Sequence, residues 1–125
     1  MNMTAKGSFE IDLEPQSDSA APMGRMLISK TYVGNIEARG SGQMLSKRTD
    51  NGVAVYCAIE EVVGSVNGKN GTFTLLHNGY MSKEHQSLEI QIVQGTGTGE
   101  LTNIQGTLEI TQSETGHSYE LSYSL

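Results

Sequence analysis

Side-chain character alternates at every second residue through VAVYCAIE and TFTLLHNG, and the two runs are joined by an asparagine- and glycine-rich stretch, VNGKNG. A period of two belongs to strands, and Asn-Gly at the break tolerates the positive φ that a tight hairpin needs. The same alternation recurs along the chain. It predicts strands over Lys6–Leu13, Arg25–Val33, Ile36–Lys47, Val53–Val66, Gly71–Met81, His85–Gln94, Gly106–Thr111 and His117–Leu125. The predicted connections are Gly34-Asn35, Asp50-Asn51-Gly52 and Asn67 to Asn70, all chemistry that closes hairpins. The segment EPQSDSAAPMG, residues 14–24, holds both prolines and is predicted to be a flexible loop that could cover one end.

With 125 residues the chain is one domain's worth, enough to bury about two-thirds of its unfolded surface around a single core. Eight antiparallel strands either stack as a sandwich or close on themselves, and closure removes the edges that invite aggregation. In the last strand Tyr119, Leu121, Tyr123 and Leu125 share one face while Glu120, Ser122 and Ser124 share the other. That amphipathic strand belongs in a sheet. The expected fold is an all-β, closed eight-stranded antiparallel meander barrel.

Charge and motif content narrow the function classes. The formal net charge is −6, and the eight Lys and Arg residues are scattered. The basic stripe that nucleic-acid binding needs is missing. No basic segment followed by an apolar core opens the chain, and no apolar run is long enough to span a bilayer as a helix, so neither membrane nor secretion is expected. A single cysteine, Cys57, fits a reducing compartment, and a cytoplasmic protein is expected. GTGTGE, residues 95–100, has glycine content but not the spacing of a phosphate-cradling loop, and reads as a turn. His85 and His117 lack partners at metal-ligand spacing, so no metal and no cofactor is expected.

Three blocks, GSVNGKNGTFTLLHNG, GTGTGELTNIQG and HSYELSYSL, resemble a bacterial family of small uncharacterised proteins, a domain of unknown function with an allene-oxide-cyclase-like barrel. The likeness runs from about Lys30 to the C-terminus. It implies an eight-stranded antiparallel barrel related in shape to plant allene oxide cyclases and dirigent proteins, and it implies no established reaction. The chain departs from the family pattern at Ile90 and Gln94, where tryptophan and proline stand in relatives.

Register decides whether Glu60 and His77 meet. A two-residue turn at Asn67-Gly68 pairs Val66 with Lys69 and sets Glu60 opposite Leu75, one diagonal step from His77; a four-residue loop sets Glu60 opposite His77. A three-residue loop with a bulge would place them on opposite faces. The same-face reading groups them with Tyr56, Ala58, Val62, Phe73 and Leu75, and the family resemblance implies that this face lies inside. Two such polar groups in an apolar barrel need partners, from each other, Tyr56, Tyr119 or water. The candidate ligand contacts are therefore Tyr56, Glu60, Phe73, Leu75, His77 and Tyr119. The opposite face carries Val55, Cys57 and Ile59, an apolar surface that predicts a homo-oligomer, most simply a dimer.

The expected function is binding of a small apolar molecule inside the barrel, with space supplied by the small residues Ala38, Gly40 and Gly42 on strand three. Two alternatives stand beside it. One is a cyclase- or isomerase-type enzyme acting on a hydrophobic substrate, with Glu60 and His77 as acid and base. The other is a structural or interaction protein with a filled core. The residues do not decide whether a reaction is catalysed.

Overall fold

The structure, a computed structural model, describes residues 2–17 and 23–125. Eight strands follow one another: β1 (Met3–Gln16), β2 (Gly24–Gly34), β3 (Ile36–Arg48), β4 (Ala54–Val66), β5 (Lys69–Met81), β6 (Gln86–Ile92), β7 (Gln105–Ser113) and β8 (Gly116–Ser124). Each pairs antiparallel with its neighbours in sequence, and β8 returns to β1, closing the barrel. The expected meander barrel is the observed one. β1 runs to Gln16 and β2 starts at Gly24, so the predicted loop over 14–24 is shorter than expected. The remainder of it, including the suggested lid, falls largely on residues 18–22, outside the described residues.

Turn chemistry sets the β4–β5 register. Asn67 has φ 48° and Gly68 φ 84°, two consecutive positive values that make a two-residue hairpin turn whose twist matches its strands. Lys69 and Asn70 already belong to β5, and Val66 pairs with Lys69. Of the alternatives left open by the sequence, the two-residue turn is the one adopted.

The barrel is filled unevenly. At the end where β2 turns into β3 and β4 into β5, the core is closed by Ile36, Val66, Leu101, Ile104, Leu121 and Tyr123, none more than 3% exposed. Leu101 and Ile104 come from the β6–β7 connection, which crosses this end and contains a short 3-10 helix, Gly99–Leu101. Burying two such side chains contributes about 3–6 kcal/mol, which ties the connection down as a plug.

GTGTGE is more than a turn. β6 stops pairing with β5 at Ile92, opposite Leu75, and beyond that point threonine side chains take over from a strand. Thr96 Oγ1 accepts from the amide of Thr74 and Thr98 Oγ1 from that of Thr72, both at 3.0 Å. The intervening glycines permit the approach: a Cβ on Gly71 would sit 2.1 Å from the Thr98 carbonyl oxygen, and one on Gly97 2.0 Å from that of Leu101. The segment caps the exposed backbone of β5 while it folds over the barrel end.

Candidate functional site

β2 alternates Ile28, Lys30 and Tyr32 inward with Leu27, Ser29 and Thr31 outward. β4 sends Ala58, Glu60 and Val62 inward, and β5 sends Phe73, Leu75 and His77. Between β2 and β4 lies β3, whose register places Gly40 beside Lys30 and Gly42 beside Glu60. Because β3 carries no side chain there, groups two strands apart can touch across it.

They do so at Glu60, which is fully buried. Its Oε1 accepts from Lys30 Nζ at 3.0 Å and from His77 Nε2 at 2.9 Å. Its Oε2 accepts from the Tyr32 hydroxyl. A Cβ on Gly40 would lie 2.0 Å from Oε2, so the carboxylate occupies the space this glycine leaves. The space at Gly40 is therefore filled by the carboxylate and that at Gly42 by the β4 backbone, where a Cβ would lie 2.1 Å from the Ile59 carbonyl oxygen, so neither glycine leaves the open volume expected of it. The tyrosine partner is also corrected: Tyr32 supplies the hydroxyl, in place of Tyr56 or Tyr119.

The electrostatics follow from this packing. Burial pushes the Glu60 carboxyl up, but the His77 hydrogen bond, the Lys30 charge and the Tyr32 hydrogen bond together hold it below the ordinary carboxylate range. Burial, and then the neighbouring Glu60 charge, raise the Tyr32 phenol far above its usual value, so it remains a donor. A buried ion pair is costly to desolvate, and it persists where further hydrogen bonds satisfy the remaining lone pairs, as the third donor does here.

Above this cluster the barrel is open among the described residues. A cavity of about 190 Å³ faces the end opposite the plug, where β1 and β2, and β3 and β4, are connected. Lys30, His77, Phe9 and Ala58 line its base, and Ile11, Ile28, Met44, Leu88 and Ile110 its walls. Leu13, Tyr56, Gln112 and His117 complete it. Lys30 Nζ stands 5.0 Å from the centroid of the Phe9 ring, and the His117 ring stacks on the same ring at 5.1 Å.

Of the six expected ligand contacts, Tyr56 and His77 line this cavity, and Glu60 lies beneath it holding His77. Phe73 and Leu75 are inside the barrel but in its closed half, within the packed core. Tyr119 is committed to the backbone, accepting from the Ile36 amide at 2.8 Å and donating to the Val33 carbonyl at 2.8 Å, which fixes the Gly34-Asn35 turn. Val55, Cys57 and Ile59 face outward and are exposed, Ile59 at 62%. No group of three or more His, Cys, Asp or Glu among the described residues could hold a metal ion.

Lys30, Tyr32 and His117 were not among the expected site residues. Lys30 is in phase with Ile28 and Tyr32, a signal present in the sequence but blurred by apolar Leu27 and Val33 on the other face. His117 is in phase with Tyr119, Leu121 and Tyr123, so carrying that alternation back by two residues would have placed it inside.

No curated protein matches the chain. Among solved structures, the barrel is similar to the crystal structure of a protein of unknown function from the DUF3224 family of Shewanella oneidensis MR-1. The TM-score is 0.93 and the identity 37%, over 100% of this chain and 98% of that one. The family described as protein of unknown function DUF3224 matches residues 5–123. Sequence and fold agree, and the chain belongs to the DUF3224 family.

Proposed function

We propose that this protein binds one small, largely apolar molecule in the open half of its barrel. The observation that supports the reading is the cavity of about 190 Å³, with aliphatic walls and a base formed by Lys30 and His77 over the buried Glu60. Cavities of this kind, mostly apolar with a few convergent polar groups, are the usual form of a ligand site. A dry cavity of about 150 Å³ suffices for a benzene-sized guest, so one ring or a short alkyl chain is the appropriate scale. Binding is favoured over catalysis because both oxygens of Glu60 are already engaged by three donors, and a general base needs a lone pair directed at its substrate.

Titration with a fluorescent naphthalene derivative tests this. Saturable enhancement in the micromolar range is expected, with Ile110→Trp, which fills the wall of the cavity, weakening it by about tenfold or more. A wild-type protein that gives no saturable signal, or a variant that binds as well as the parent, would overturn the reading.

A further inference from the structure

We infer that the guest carries a hydroxyl, as a phenol or an alcohol does, and that this hydroxyl donates to Nδ1 of His77 at the base of the cavity. The inference rests on the proposed binding of a small apolar molecule and specifies its chemical class.

The Glu60 carboxylate fixes which nitrogen of His77 carries the proton. Held ionised by its surroundings, Glu60 has only acceptors to offer, so in the 2.9 Å contact with its Oε1 the ring nitrogen Nε2 is the donor. A second proton on the ring would add a charge that nothing nearby balances. The Lys30 ammonium already matches the one carboxylate, and no Asp or Glu lines the cavity. An uncompensated charge buried in such a site is costly, so the imidazole is neutral and Nδ1 keeps its lone pair.

That lone pair is unused and open to the cavity. Among the described residues the His77 ring makes one hydrogen bond, through Nε2 to Glu60, while the residue lines the cavity and is 5% exposed. The buried side-chain polar atom left without a partner among the described residues is His117 Nδ1, so His77 Nδ1, equally unpartnered, is not sealed off. The next inward position on β5 toward the open end is Gly79, where a Cβ would lie 2.1 Å from Tyr56 Cε1, so an aromatic ring walls the place beside His77. The protein's own donors are directed elsewhere. Lys30 Nζ reaches Glu60 at 3.0 Å and lies over the rings of Phe9 and Tyr32, 5.0 and 5.8 Å from their centroids. A guest hydroxyl supplies the missing donor, whereas an ether or a ketone brings only acceptors and leaves the lone pair as it was. An ammonium also donates, but it meets the Lys30 charge. The aliphatic walls then take a remainder of roughly one ring or a short chain.

The experiment compares naphthol with its methyl ether, which keeps the oxygen and loses the donor. Fluorescence titration of each into the whole protein is expected to give a Kd about fivefold or more lower for naphthol, although the ether is the more apolar of the two. In His77→Phe, which keeps a ring and leaves Glu60 with Lys30 and Tyr32, the two Kd values should come within about twofold of each other. Nitrogen NMR of isotope-labelled wild-type protein reads the contact without any variant. Nδ1 of His77 should resonate as an unprotonated nitrogen in the free protein, and should move upfield with naphthol but not with the ether. Equal binding of the two ligands, a preference that survives in His77→Phe, or a proton on Nδ1 in the free protein overturns the hydroxyl assignment alone. If neither ligand binds, the proposed function falls as well.

Discussion

Glu60 concentrates more of the interior chemistry than any other side chain, and its surroundings make its removal expensive. Glu60→Gln keeps the shape but leaves the Lys30 ammonium buried without its counter-charge. Breaking a buried pair on one side costs roughly 3–5 kcal/mol, so urea unfolding at neutral pH should show a loss of that order with little change in m-value. A loss under about 1 kcal/mol would mean that the carboxylate contributes little net stability. Acid provides an independent check. The folded carboxyl titrates below its unfolded counterpart, so as pH falls the unfolded chain takes up the proton first. The stabilisation is present above the ordinary carboxylate range and is lost as pH drops through the depressed folded value. Wild-type urea midpoints should therefore fall more steeply than those of Glu60→Gln as the pH drops through and below the ordinary carboxylate range.

Among the elements, β3 and the β6–β7 connection do work that composition alone hides. β3 contributes by what it lacks: at Gly40 the absent side chain lets groups of β2 and β4 meet across it, and at Gly42 it lets the β4 backbone approach closely. The connection contributes two threonine hydroxyls where β6 no longer pairs with β5. Thr98→Val removes the acceptor for the Thr72 amide and the hydroxyl partner at 2.6 Å while keeping the shape. A cost of about 1 kcal/mol is expected, with faster hydrogen exchange localised at the Thr72 amide. Uniformly faster exchange around the barrel would instead mean that the plug is coupled to global unfolding.

At the scale of the whole molecule, the described residues form a barrel with a packed end and an open end, and with an outer wall that is apolar over β3 and β4. Leu45, Val55, Ile59 and Val63 are between 39% and 62% exposed. If a second copy covers this wall, as the sequence led us to expect, Ile59→Lys should convert a dimer into a folded monomer by light scattering, with an unchanged circular dichroism spectrum. A parent protein that is monomeric at all concentrations would remove the dimer.

The sequence by itself determined the eight strands, because a period of two and positive-φ turn residues are local signals that neighbours cannot easily override. It favoured one face for Glu60 and His77, since two of the three possible turn lengths give that parity, and the two-residue turn at Asn67-Gly68 decided the matter. What only the tertiary structure decided is which groups meet across the barrel. Lys30 and Tyr32 are 30 and 28 residues from Glu60 and touch it because β3 is bare between them at Gly40. Periodicity says which way a side chain points, but how far two strands stand apart, and which half of a closed sheet is filled, depends on all eight strands and the plug packing at once.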